Sequence, residues 1–193
     1  MSVTVIFGPM FSGKSTEMFR QINRHIIAGK KTAVFKYSND TRYGRKHLAY
    51  SHDGLTLKAI PVSSFENITI RDDIQVIGID EGQFIEGLVD FCDYHANHGR
   101  SVIVSGLDAD FKRDPFQQIV DLIPKAEHVV KLHSVCVNCK DDQGAFSKKI
   151  SSNKDIEDIG GIDKYISVCR KCYFKDISDD RIEEHREILK HSI

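Results

Sequence analysis

No charge of one sign dominates this 193-residue chain: 27 lysines and arginines stand against 28 aspartates and glutamates, a formal net charge of −1. So close a balance gives no overall field to draw the protein onto nucleic acid or a membrane surface. No apolar run approaches the roughly 20 residues that cross a bilayer. Met1 leads straight into a strand-like run without a basic segment and an apolar core, so no leader is expected and the expected address is the cytoplasm. A disulfide framework is not expected either, because four of the five cysteines fall into two C-x-x-C pairs, a spacing that points to metal. What remains is ordinary for a soluble protein: 40% hydrophobic and 28% charged residues, enough for one large domain or a main domain with an appendage.

The chain is organised around Gly8-Pro9-Met10-Phe11-Ser12-Gly13-Lys14-Ser15, which follows the apolar run Val3-Thr4-Val5-Ile6-Phe7 and opens an amphipathic segment. The string fits G-x-x-x-x-G-K-[ST] between a strand and a helix, a loop whose backbone N–H groups wrap a polyphosphate. Gly8 and Gly13 allow backbone angles closed to other residues, and neither has a Cβ to block a phosphate. Lys14 offers a point charge to the β- and γ-phosphates, Ser15 an oxygen to Mg2+, and the helix N-terminus adds partial positive charge.

A first helix is expected over about 15–28, with Met18, Phe19, Ile22 and Ile26 on one face and Gly29 as its stop. Residues 31–37 read as the second strand, completing a βαβ start that implies a parallel sheet. The polar loop after it carries Asp40 and Arg42, and a loop at a strand's carboxyl end in such a sheet is where ligands sit. Residues 45–73 are irregular, and an excursion that is mobile or built of short strands is expected there. Residues 75–79 then form a buried-type strand ending in Asp80 and Glu81, the position from which a P-loop site takes its magnesium carboxylate. Strand alternation sends neighbouring side chains to opposite faces, so the two acids share a site only if the backbone turns, as Gly82 permits. Asp80 would then serve the metal and Glu81 a substrate proton.

A helix over 88–97, strands over 101–105 and 128–132 and a short helix over 119–123 complete this part, with Cys92 read as a buried small hydrophobe. The segment 106–116 follows a strand's carboxyl end and mixes aromatic with charged residues, which suits a substrate pocket. From Cys136 the character changes. Cys136, Cys139, Cys169 and Cys172 supply four thiolates, enough for closed tetrahedral zinc, a structural rather than catalytic centre. The spacer between the pairs holds Asp155-Ile156-Glu157-Asp158-Ile159-Gly160-Gly161, acidic, apolar and glycine-hinged, which suits a lid. Two other classes lack their signatures. A GTPase needs Asn-Lys-x-Asp, whereas Asn153-Lys154-Asp155-Ile156 ends in isoleucine, and a nucleic-acid-binding ribbon needs a basic aromatic face where this spacer is acidic.

These motifs, together with Lys36-Tyr37-Ser38-Asn39-Asp40-Thr41-Arg42-Tyr43, Ile79-Asp80-Glu81-Gly82-Gln83-Phe84 and Ile159-Gly160-Gly161 ahead of Tyr165, give a chain that resembles the type II thymidine kinases, the cellular and poxvirus-like group, over residues 3 to about 174. The resemblance implies an α/β fold: a P-loop NTPase-like parallel sheet with flanking helices over 1–133 and a small zinc ribbon carrying a substrate lid over 134–175. The tail over 176–193 has no counterpart in the family's pattern, and its Ile182, Ile188 and Leu189 suit a short amphipathic helix. The resemblance also implies transfer of the γ-phosphoryl of ATP to the 5′-hydroxyl of thymidine, with Mg2+ and structural Zn2+, in a homotetramer inhibited by dTTP, and without nucleic-acid or membrane partners. Glu81 is then the general base. Asp40, Thr41, Arg42, Asp80, Gly82 and Gln83 join Gly8 to Ser15 around ATP, and Ser15 and Asp80 serve Mg2+. Met10, Leu107 and Phe111 line the base pocket, and Ile156, Glu157, Asp158, Ile159 and Gly160 with Tyr165 hold thymidine largely through main-chain groups. The chain departs from the family's usual string at Ser105-Gly106-Leu107-Asp108-Ala109-Asp110-Phe111-Lys112-Arg113-Asp114.

Overall fold

The structure is a computed structural model that describes residues 1–40, 47–50, 54–151 and 160–191. In chain order the main body runs β1 (Ser2–Phe7), α1 (Lys14–Ile27), β2 (Thr32–Tyr37), β3 (Leu48–Tyr50), β4 (Thr56–Lys58), β5 (Ile60–Val62), β6 (Val76–Asp80), α2 (Leu88–Asn97), β7 (Ser101–Gly106), α3 (Gln117–Leu122) and β8 (His128–Lys131). The ribbon adds β9 (Phe146–Lys149), β10 (Tyr165–Val168) and α4 (Arg170–Tyr173), and α5 (Asp179–His191) closes the chain.

Six strands form one all-parallel sheet in the order β5-β2-β6-β7-β1-β8. The inner strands β6, β7 and β1 read as near-continuous apolar runs because both their faces are covered, while the edge strand β8 is largely exposed. Alternation divides them. Val3 and Val5 of β1, Ile77 and Ile79 of β6, and Val102 and Val104 of β7 pack toward Leu88 and Cys92 of α2 and Ile119 of α3. On the other face Ile6, Val34, Val76 and Ile103 meet Met18, Phe19 and Ile22 of α1. Each of those three helix side chains is fully buried, roughly 1.5–3 kcal/mol of apolar transfer apiece. Gly78 makes the close approach possible, since a Cβ there would stand 3.0 Å from Ile22 Cδ1.

α1 ends as expected, with Gly29 at φ 75° just past it. The irregular stretch resolves into short strands: β3 and β4 pair antiparallel, with Ala49 and Ala59 buried on the α1 side, and β5 joins the sheet edge. β7 lies between β6 and β1, so the P-loop strand and the acidic strand are not neighbours.

Beyond Ser134 a second, small core gathers Cys136, Val137, Ile166, Val168 and Cys172. α5 belongs to it. Ile182 is buried there, Arg186 donates to the Ile162 carbonyl at 3.1 Å, and Lys140 pairs with Glu184 at 3.2 Å. The helical tail therefore packs on the ribbon rather than standing apart.

Candidate active site

The loop after β1 curls because two of its glycines take angles that other residues avoid. Gly8 has φ 148°, and a Cβ on it would meet the Leu132 carbonyl oxygen at 2.3 Å; Gly13, at φ 78°, caps α1. The Pro9 carbonyl faces inward and accepts from Ser12 Oγ at 2.8 Å and Lys14 Nζ at 2.6 Å. The lysine's charge is thus already inside the loop, at the N-terminus of α1.

Asp80 ends β6, one strand away from the P-loop strand, and it reaches Ser15 because the residue between them is small. The register that sets Ile79 beside Val104 brings Ser105 of β7 next to Asp80. Ser105 Oγ donates to Asp80 Oδ1 at 2.6 Å and Ser15 Oγ donates to the same oxygen at 2.9 Å. That separation of a hydroxyl and a carboxylate oxygen is close to the ~3 Å edge of an octahedron with ligands at ~2.1 Å, so this donor pair fits magnesium.

Glu81 supplies the turn that alternation demanded. It adopts φ 54°, ψ 41°, in the left-handed region, at a cost of about 1 kcal/mol or more for a non-glycine residue. As a result Asp80 and Glu81 border the same cleft. Gln83, buried just behind, donates from Nε2 to Glu81 Oε2 at 2.7 Å and accepts at Oε1 from the Leu107 N–H at 3.0 Å. A backbone N–H can only donate, so this pairing fixes which way the amide points. Gly106 leaves room for it, since a Cβ there would lie 2.7 Å from Gln83 Oε1.

Opposite these polar groups the cleft is apolar. Tyr37 and Phe84 pack at 5.2 Å, Phe84 and Phe116 edge to face at 5.4 Å, and Leu107, Phe111, Met10 and Tyr165 continue the lining. The Lys149 ammonium lies 5.1 Å from the Phe111 ring centroid and 5.6 Å from that of Tyr165. Phe11 to Thr16, Asp40 and Gly160 also border this cleft, whereas Gly8, Pro9, Gly82 and Gln83 lie behind its wall. The expected site residues Thr41, Arg42, Ile156, Glu157, Asp158 and Ile159 lie outside the described residues.

Several contributors escaped the sequence reading. Tyr37 and Phe84 follow sheet strands at their carboxyl ends, the place where ligand contacts concentrate, and could have been found by that rule. Ser105 could not, because its role depends on β7 lying between β6 and β1. Ser147 and Ser167 gave no local signal, yet they hold the backbone on both sides of the Met10 Cα: Ser147 Oγ accepts from the Met10 N–H at 3.0 Å, and Ser167 Oγ donates to the Met10 carbonyl.

The four expected thiols do converge. Cys136, Cys139, Cys169 and Cys172 have sulfurs all within 4.8 Å of one another, with Cys139 and Cys169 3.8 Å apart. Zinc ligands at ~2.3 Å in a tetrahedron stand ~3.8 Å apart, so the set fits zinc. Burial pushes the Cys136 thiol up, but N–H groups of Cys139, Cys169 and Asn138 outweigh it and bring the thiol down to about 7. Cys139 receives an N–H from Asp141, yet its thiol neighbours and desolvation push it up to about 12. Four thiolates this close repel one another, which a cation relieves. The ribbon's far end meets the substrate side of the cleft: Tyr173 Oη donates to the Phe111 carbonyl at 2.7 Å, and the Arg113 guanidinium lies 4.6 Å from the Tyr173 ring centroid.

The family model described as thymidine kinase matches residues 1–173. Similar proteins include a thymidine kinase of Yaba monkey tumor virus, 51% identical over 174 residues, covering 90% of this chain and 94% of the relative. Thymidine kinase 1 of Dictyostelium discoideum is 46% identical over 194 residues, 98% of this chain and 85% of its own length, so its match extends into the tail. The human cytosolic thymidine kinase is 48% identical over 177 residues, 91% of this chain and 74% of its own. With the glycine loop, the paired carboxylates and the thiol cluster in one chain, and with matches of this extent, the protein belongs to the thymidine kinase family.

Proposed function

We propose that this protein is an ATP-dependent thymidine kinase, moving the γ-phosphoryl group of ATP to the 5′-hydroxyl of thymidine to give dTMP and ADP. The observation that carries the reading is the two-sided cleft: Lys14, Ser15, Asp80 and Glu81 on one wall, and Tyr37, Phe84, Leu107, Phe111 and Tyr165 on the other. The wall with the two carboxylates suits a polyphosphate and its metal, and the other suits a flat base.

The Met10 N–H is held by Ser147, so the phosphate cradle falls to the N–H groups after it, up to Ser15. Lys14 exchanges the Pro9 carbonyl for a phosphate oxygen. Magnesium, when bound, neutralises charge on the β- and γ-phosphates. Ser15 and Asp80 hold its site, and Ser105 keeps the carboxylate aimed at it. Glu81 accepts the 5′-hydroxyl proton as phosphoryl transfer proceeds, with its Oε2 oriented by Gln83. Gln83 and Gly82 shape this turn, and the family resemblance assigns nucleotide contacts to Asp40, Thr41 and Arg42 and thymidine contacts to residues 156–160. Cys136, Cys139, Cys169 and Cys172 would hold zinc, which would organise the base of the ribbon that carries residues 156–160. Family membership supports a homotetramer and feedback by dTTP, whose base and triphosphate together span both walls. No described helix is long and apolar enough to cross a membrane, and the human relative's printed name, cytosolic, supports a cytoplasmic address.

The test is direct: incubate the pure protein with γ-labelled ATP, magnesium and each nucleoside in turn. Label is expected in dTMP, and label in another nucleoside monophosphate with none in dTMP would reject the substrate. Ser105→Ala probes the magnesium carboxylate separately. It removes a hydrogen bond to a buried charged group, which costs about 1.5–3 kcal/mol. The expected result is a lower denaturation midpoint together with a higher magnesium requirement, and a change in stability alone would detach Ser105 from the metal site.

A further inference from the structure

We infer that the zinc ribbon sets the shape of the phosphate loop, through Ser147 and Ser167 acting on Met10, so that zinc and ATP bind with positive coupling. The inference rests on the nucleotide reading above. Ser147 of β9 and Ser167 of β10 are directly opposite each other in the antiparallel pair, so both side chains leave the same face of the hairpin. Met10 lies across that face. One serine takes its N–H and the other gives to its carbonyl, with Ser147, Ser167 and Met10 all buried. The two bonds hold the peptide units on either side of the Met10 Cα, so together they fix φ and ψ of Met10; the next residue, Phe11, is held at φ 61°, in the left-handed region.

The hairpin is in turn tied to the thiol cluster. The Val137 N–H, one residue past Cys136, donates to the Ser167 carbonyl at 2.9 Å, and Cys169 follows Ser167 by two residues. A metal that draws Cys136 and Cys169 together therefore holds the Ser167 backbone from two sides, and Ser167 holds Met10. The path from Cys136 to the phosphate loop consists of two residues, Val137 and Ser167, and two hydrogen bonds. Without metal a ribbon with so small a core loses its fixed ends. Met10 then loses both partners and the loop's N–H groups lose their common aim. Ser147 lines the cleft beside Met10 and Ser167 does not, and both act on the phosphate loop through Met10, as positioning residues.

Linkage makes this testable in both directions, because an effect of zinc on ATP requires an equal effect of ATP on zinc. The wild-type full chain is loaded with zinc, its metal content is measured, and transfer of zinc to a chromogenic chelator is timed with and without magnesium-ATP. ATP should slow the transfer at least about fivefold, the low end of ordinary couplings. ATP affinity, read by fluorescence titration, should fall by a like factor once zinc is removed. In Ser147→Ala/Ser167→Ala, ATP affinity should already be low with zinc present, and neither removal of zinc nor addition of ATP should change the other's binding. Ser147→Thr, which keeps the hydroxyl, should restore the coupling. Zinc transfer indifferent to ATP in the wild type would overturn the inference and needs no variant. The same follows if the double variant retains the full coupling. A zinc-loaded wild type that binds no ATP at all would instead overturn the nucleotide reading, and the inference with it.

Discussion

Glu81→Gln is expected to lower kcat by on the order of 10²-fold or more while leaving ATP affinity close to that of the wild type. The 5′-hydroxyl is a poor nucleophile at neutral pH, and a carboxylate beside it lets the proton leave as the phosphoryl group moves. Glutamine preserves everything else. Its amide oxygen can still accept from Gln83 Nε2, where Glu81 Oε2 now does at 2.7 Å, and its backbone needs the same left-handed turn that glutamate already tolerates. Basicity is the one property removed. Steady-state kinetics over a range of thymidine concentrations, with ATP affinity measured separately by titration, separate the chemical step from binding. Near-wild-type turnover would dismiss Glu81 as the base, and a large loss of ATP affinity would make it a nucleotide ligand instead.

The elements that could be read from the sequence are those whose signal is local. β1, β6 and β7 announce themselves as apolar runs because a doubly covered parallel strand has no polar face to conceal. The glycine loop announces itself because Gly8 and Gly13 answer to their own backbone angles and to a single carbonyl neighbour. The thiol cluster announces itself by spacing, although the long spacer between the pairs left its geometry open. What stayed hidden depends on pairing between distant segments. Asp80 reaches Ser15 only across β7, and whether a strand intervenes is a matter of sheet order. The left-handed turn at Glu81 could be required on grounds of alternation, but sequence pattern pointed to Gly82 for it, and the strain fell one residue earlier. The ribbon's attachment stayed hidden too. The change of composition at Cys136 marks a separate module and carries no sign that Ser147 and Ser167 contact Met10. The tail offered only an amphipathic pattern, with no indication that Ile182 completes the ribbon's core.

Lys14→Ala should cost more in transfer than in binding, lowering kcat/KM for ATP by about 10²–10³-fold. In a phosphoryl transfer the protein stabilises charge on the moving group and its bridging oxygens, and a fixed cation there works harder in the transition state than in the ground state. Lys14 is already folded back into the loop on the Pro9 carbonyl, so swinging to a phosphate trades one hydrogen bond for a stronger, charge-assisted one. Its pre-placed charge is what alanine loses. The fold has little stake in the side chain: it is half-buried at the loop, outside both core clusters of the sheet, and the denaturation midpoint should barely move. Arginine is not expected to rescue the rate. Its planar fork cannot occupy the compact space between Pro9 and the head of α1 as an ammonium does. Three measurements decide the matter: kcat and KM for ATP in Lys14→Ala, the same in Lys14→Arg, and the denaturation midpoint of each. A stable Lys14→Ala protein with unchanged kcat/KM would reduce residues 8–15 to a turn between β1 and α1, with the phosphate site elsewhere.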